Sequence, residues 1–175
     1  MIHSQSIRYR NDSDLNGLSD VILQHPRDRV LIQVFSGELD DEAVRRTVDK
    51  LSTVLPGATI LGTTTAGEIV EGQSLDQSVI VNVTCFSDAT IRCALVTQND
   101  NLVEAGEQLA AQLVQPEIKA IIAFGCGIKN KRTIFAEAML ETLHAKIPEA
   151  IIAGGQAGDN GKGTRTLVFT ADGMT

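Results

Sequence analysis

Apolar residues fall along this chain in short runs separated by longer periodic stretches. The runs are RVLIQVF (29–35), ATILG (58–62), KAIIAFG (119–125) and AIIAGG (150–155). They are strand-length and nearly continuous, which predicts parallel strands covered on both faces. Between the first two, Val44, Val48, Leu51 and Leu55 recur at helical spacing after an acidic start at Asp40, Asp41 and Glu42, and Pro56-Gly57 ends the pattern. Negative charge suits the positive end of a helix. Between the last two, residues 131–146 carry Phe135, Met139 and Leu143 on one stripe before Pro148. Strand, helix, strand is the sequence form of a βαβ unit, and here it occurs twice.

Two further helices are predicted. One starts at a cap on Asp14, buries Leu15, Leu18 and Ile22, and stops at Pro26. The other runs from Asp100 or Asn101 to Gln115, with Leu102, Leu109 and Leu113 facing inward and Pro116 after it. EGQSLDQS (71–78) reads as a polar loop. SVIVNVTCF (78–86) and TIRCALV (90–96) read as an antiparallel hairpin turning at Ser87-Asp88. GTRTLVFT (163–170) reads as the start of a second hairpin that lacks its returning strand, which suggests a piece of a longer protein.

The halves also match by letter. VLIQVFSG aligns with AIIAFGCG, PGATILG with PEAIIAG, and Ala66-Gly67-Glu68 with Ala157-Gly158-Asp159. The expectation is an α/β fold in a single domain, 1–175. Two pseudo-repeated βαβ-plus-hairpin units, about 12–97 and 100–175, would form a mixed sheet flanked by helices.

Composition narrows the function. With 3% aromatic residues and no Trp, the core must be built from Val, Ile, Leu and Ala. The net charge of -7, without a basic cluster or exposed aromatic platform, argues against nucleic acid as a partner. Cys85, Cys93 and Cys126 form no C-x-x-C pair and no zinc spacing, so a reduced cytoplasm is the expected setting. The start, MIHSQSIRYRNDSD, has no apolar signal segment, and no run has the length of a membrane span. No metal or cofactor motif is present.

Ligands of open α/β sheets bind beyond the carboxyl ends of the strands. Four segments occupy that edge: FSGELDD (35–41), GTTTAGE (62–68), GCGIKNKRT (125–133) and GGQAGDN (154–160). All are rich in Gly and short polar residues, which lets a backbone approach a ligand closely. The candidate binding residues are Thr63, Thr64, Thr65, Gly67, Glu68, Cys126, Gly127, Gly155, Gln156, Asp159 and Asn160. Glu68 and Asp159, in matched places, would meet a positive group or order the loops that do; each alone also suits a loop cap through backbone N–H groups. Cys126, between a strand and a helix start, is the one candidate nucleophile, but no histidine stands in a position to serve it.

The combination of GTTTAGEI after a βαβ unit, AFGCG, and P-x-A-I-I-A-G-G-Q-A-G-D followed by T-L-V-F-x-x-D-G resembles the N-terminal part of the FIST sensory domain of bacterial signalling proteins. The likeness runs from about Arg29 to Gly173. This chain has Thr63 and Thr64 where the family often shows a cysteine and a serine. The resemblance implies a non-enzymatic input module that binds a small polar ligand, amino acids being one proposed class. It also implies a companion C-terminal FIST domain. Related proteins are coupled to an output such as a diguanylate cyclase, a phosphodiesterase, a histidine kinase or a chemotaxis receptor. A thiol-dependent acyl transferase or hydrolase using Cys126, and a non-catalytic scaffold or dimerisation domain, are the alternatives.

Overall fold

The computed structural model describes residues 1–38, 40–97, 101–115 and 117–175. In chain order, β1 (Ile2–Arg8) leads through a 3-10 turn to the short helix α1 (Asp20–Gln24). The first βαβ unit follows: β2 (Val30–Ser36), α2 (Asp41–Val54) and β3 (Thr59–Thr64). A small hairpin, β4 (Glu68–Val70) and β5 (Gln73–Leu75), precedes β6 (Val79–Phe86). After α3 (Leu102–Leu113) comes β7 (Ala120–Gly125), then a two-residue hairpin, β8 (Ile128–Lys129) and β9 (Arg132–Thr133). Helix α4 (Glu137–Lys146), β10 (Ile151–Gln156) and β11 (Val168–Thr170) complete the order.

Five strands form one mixed sheet in the order β1-β6-β2-β3-β11. β2 and β3 are parallel, and β1, β6 and β11 join antiparallel. Val30, Ile32 and Val34 of β2 share one face with Ile60, Val81, Val83, Cys85 and Phe169. Helix α2 covers that face with Val44, Val48 and Leu51, and Leu15, Leu18 and Ile22 extend the cover. The helix begins where the Asp40 carboxylate accepts the Ala43 N–H at 2.9 Å, a side-chain cap for an otherwise orphaned donor. Phe169, 1% exposed, occupies the space over Gly62; a β-carbon at 62 would stand 2.0 Å from its ring. That contact seats β11, from the end of the second unit, on the sheet of the first.

The second βαβ unit makes its own two-stranded parallel sheet, β7 beside β10. Ile121 and Ile152 on one face pack with Ala110 of α3 and Leu143 and Ile147 of α4. The parallel strand–helix–strand arrangement thus appears in both halves, but the two sheets remain separate, and only the first carries antiparallel neighbours on both edges.

Several expectations are corrected. The segment 90–96 is not a strand: β1 takes the outer edge of β6 and β2 the inner one, so no edge of β6 is left for it. The initial polar stretch IHSQSIR is therefore the strand that was missed. The helix expected from Lys131 starts at Glu137 instead. Residues 128–133 turn back through Asn130 and Lys131, both with positive φ, and Phe135 is 66% exposed rather than on the buried stripe. Asp14 does not cap a helix. Asn11 caps the 3-10 turn, and Asp14 returns a bond to its backbone. The loop 71–78 begins inside the β4–β5 hairpin, which turns through Glu71 and Gly72 at φ 52° and 75°. The second hairpin does return: Val168 and Thr175 exchange backbone bonds of 3.0 and 2.9 Å around a Thr170–Gly173 turn. Asn101 caps α3 by accepting the Glu104 N–H; the other proposed cap, Asp100, and the stop at Pro116 lie outside the described residues.

Candidate functional site

The carboxyl ends of β3 and β10 meet. The Gly158 N–H donates to the Thr64 carbonyl at 2.9 Å, and the Thr65 N–H donates to the Ser36 carbonyl at 2.9 Å. The Asn160 side-chain amide donates to the Gly37 carbonyl at 3.1 Å. Gly158 lies so close to the other strand end that a β-carbon there would stand 2.8 Å from the Ala66 nitrogen. The two Ala-Gly-acid segments that match by letter are therefore in contact through their backbones.

Both carboxylates turn inward. Glu68 is 4% exposed; it accepts the Ser78 N–H at 3.1 Å and the Thr65 hydroxyl. Asp159 is 3% exposed and accepts the Thr164 N–H at 2.7 Å. Burial alone would raise the Asp159 carboxyl, but the N–H groups of Thr164, Gly163 and Arg165, with the Thr164 hydroxyl, outweigh it and hold the pKa below the usual range. Each acid thus ties a loop to itself, the use expected of a capping carboxylate.

Thr63 and Thr64 are buried. The Thr64 hydroxyl accepts the Leu167 N–H at 2.9 Å, fastening β3 to the segment before β11, while the Thr63 hydroxyl donates to the Thr64 carbonyl. Gly127 is buried, and its N–H donates to the Thr166 hydroxyl at 2.9 Å. Cys126 is 4% exposed, with its thiol directed at the Thr175 carbonyl at 3.4 Å. Burial pushes this thiol up, against smaller opposing effects from the Val168 backbone, Lys129 and Thr166. That environment disfavours a thiolate. Gly67, Gly155 and Gln156 are exposed and Thr65 and Asn160 half-buried, so these five of the expected binding residues can reach a ligand in solution.

A concavity that sequence reasoning missed lies nearby. It is a cleft of about 740 Å³ at the same end of the sheet, between α2 and the ends of β1, β2 and β6. Arg8, Arg10, Arg46 and Lys50 line it together with Asp12 and Glu38. Arg10 pairs with Asp14 at 2.8 Å and Lys50 with Asp12 at 2.9 Å. The Tyr9 hydroxyl donates to Asp12, and burial, that bond and the nearby acids push its pKa up to about 12. The signal for this cleft was the polar alternation of IHSQSIRYR, legible only once that stretch is known to be an edge strand.

No cluster of His, Cys, Asp and Glu able to hold a metal occurs among the described residues. Among them, too, no helix is long and apolar enough to cross a membrane. Comparison with curated proteins and with solved structures returned no match. A family model described as the FIST N domain matches residues 30–175, across both βαβ units and the strand-end junction, and the chain therefore belongs to the FIST N family of sensory domains in signal transduction.

Proposed function

We propose that this domain binds a small polar metabolite, with amino acids the leading class, where the ends of β3 and β10 meet. It then passes the signal to a separate output domain or partner in the cytoplasm. The observation that carries this reading is the junction itself: two βαβ units touch through the Gly158–Thr64 backbone bond and the Asn160–Gly37 side-chain bond at matched strand ends, beside polar groups still open to solvent. A ligand that prefers one arrangement of the units biases their equilibrium by its difference in affinity for the two. Thr65, Gln156 and Asn160 supply neutral hydrogen bonds, with the backbone at Gly67, and the open space beside Gly155 leaves room for the ligand. Glu68 and Asp159 order the loops rather than meet the ligand. The companion FIST C-terminal domain and an output module are the partners this reading implies. It is a binding role and not a catalytic one; a buried Cys126 with a raised pKa counts against the thiol-enzyme alternative.

A second reading puts the ligand in the cleft beside α2. Its walls carry both signs of charge, which matches the two ends of a zwitterion.

Thermal unfolding against a panel of amino acids and other small metabolites tests both. A ligand at a hundredfold over its dissociation constant adds about 2.7 kcal/mol, enough to raise the midpoint by several degrees. Loss of the shift in Gln156→Ala and Asn160→Gly supports the junction; the second change suits the positive φ at 160. Loss in Arg8→Glu and Arg46→Glu, with the junction variants unaffected, moves the ligand to the cleft. No shift with any class in the domain joined to its C-terminal partner would refute both.

A further inference from the structure

The pairing of β2 with β6 ends on an unfinished pair. Gly37 and Ser78 face each other one step past Ser36 and Val79, the last pair of the two strands. Facing residues at such a position of an antiparallel ladder exchange two bonds. Here only one forms, from the Gly37 N–H to the Ser78 carbonyl at 2.7 Å. The other two groups go to loops. The Ser78 N–H donates to the Glu68 carboxylate at 3.1 Å, and the Gly37 carbonyl accepts the Asn160 side-chain amide at 3.1 Å. Gly37 is thus held through Ser78 by Glu68 of the first unit, and directly by the residue that follows Asp159 in the second.

The hold from the second unit depends on bonds rather than packing. Residues 161–165 are exposed, and a β-carbon at Gly161 or Gly163 would meet open space. Asn160, Gly161 and Gly163 have positive φ, at 55°, 73° and 65°. Turns of this kind bring successive N–H groups together around an anion. The anion is the buried Asp159 carboxylate, which gathers the N–H groups of Gly163, Thr164 and Arg165. The hold from the first unit is stiff. A β-carbon at Gly37 would stand 2.7 Å from the Gln77 Cα, so the two backbones move together. Gln77 itself is kept at φ 50°, a conformation that persists only where its surroundings impose it.

We propose that Glu68 and Asp159 are a positioning pair: from opposite units they fix one residue, Gly37, and through it the shape of the strand-end junction. Neither touches a ligand. Glu68 adds a second grip through Thr65, whose hydroxyl it accepts and whose N–H donates to the Ser36 carbonyl at 2.9 Å. Release on either side frees the same strand end, so each hold works only while the other is kept. Ser36, Gln77 and Ser78 also line the cleft beside α2. The pair therefore governs that wall too, and a molecule bound at one place alters the other. The service of the pair to ligand binding rests on the proposed function; its hold on Gly37 does not.

The test is hydrogen exchange of single amides in the intact chain, read by NMR without any ligand. Asp159→Asn should speed exchange of the Gly37 amide about tenfold, as for a lost charged hydrogen bond, although residue 159 does not touch Gly37. Asn160→Gly, which suits the positive φ there, should speed it about fivefold. Glu68→Ala should match Asp159→Asn. The amides of Ile32 and Val83, inside the sheet, should keep their protection in the first two variants. Holds on one residue are not additive, so Glu68→Ala with Asp159→Asn should exceed either alone by no more than about twofold. If Glu68→Ala also exposes Ile32 and Val83, Glu68→Gln replaces it, with a smaller acceleration at Gly37 expected. Unchanged exchange at Gly37 in Asp159→Asn, or effects that multiply in the double variant, would overturn the proposal. Either result stands apart from the metabolite panel, since a chain with no ligand shift still reports whether the two acids meet at Gly37.

Discussion

The five-stranded sheet and the β7–β10 sheet differ in the residues that they expose to solvent. On the five-stranded sheet, the face away from α2 carries Ser4, Ser6, Asn82 and Thr84 across β1 and β6. Ser4 and Thr84 lie 3.0 Å apart, the Asn82 amide donates to Ser6 at 3.0 Å, and the Thr84 hydroxyl donates to Asn82 at 3.0 Å. On the β7–β10 sheet the equivalent face carries Ala120, Ile122, Ile151, Ala153 and Gly155, with Ile151 and Ile122 in solvent, and Phe124 at its inner end is half-buried against Phe35. An antiparallel sheet with one wet face alternates polar and apolar residues, while a parallel strand apolar on both faces expects cover on both. The β1–β6 margin of one sheet is thus finished as a surface; farther in, Leu31 and Val168 of that sheet are buried and Phe35 meets Phe124 of the other, while the outer part of the β7–β10 face has the chemistry of an interior.

The largest effect that would test this contrast is at Phe169, which closes the core of the five-stranded sheet from the second unit. Phe169→Ala should cost about 3–5 kcal/mol in urea unfolding and release the β11 end of the sheet. Leu143→Ala, 1% exposed beneath the smaller sheet, should cost about 2–4 kcal/mol. Hydrogen exchange should then show faster opening of β7 and β10 than of β2 and β6; equal acceleration in both sheets would show that they open as one unit. At the polar face, Asn82→Val should cost about 1 kcal/mol through the lost side-chain bonds. At the apolar face, Ile151→Thr should change the monomer by no more than about 0.5 kcal/mol, as for an exposed site. A larger loss at 151 than at 82 would reverse the contrast.

The smallest expected effect is on pH. The pKa of Asp159 is lowered in the folded state, so its contribution is present above the unfolded value near pH 4 and is lost as pH falls through the folded value. Asp159→Asn should flatten the acid limb of the stability curve. An unchanged limb would mean that the N–H groups of the 159–165 loop do not favour the charged form.

Much of the architecture was legible in the sequence. The four strands of the βαβ units are short apolar runs, and Pro56-Gly57 and Pro148 mark the helix ends. β1 was not legible because only Ile2 and Ile7 interrupt its polar residues, and its partner strand lies 78 positions away at the Ser4–Asn82 contact. The failed 90–96 strand is the same error seen from the other side: a good strand sequence finds no edge once β1 has taken it. The start of α4 was misplaced because a charged turn at 129–132 has no apolar period to betray it. At the site, the match of Glu68 with Asp159 was visible, but their duties were not. Those depend on which N–H groups come within reach, Ser78 for one and Thr164 for the other, and such distances are set by folding rather than by spacing.

The seating of β11 on β3 has a consequence for biosynthesis. The Thr64 contact with Leu167 spans 103 positions, so the first unit emerges from the ribosome with one side of β3 bare. It stays so until Val168 has been made. Loop closure over such a distance is slow compared with formation of the local βαβ units, and a bare strand edge is prone to wrong pairing in the interval. The vulnerable period in the life of this protein is therefore the translation of its second half, and slower elongation there would lengthen it.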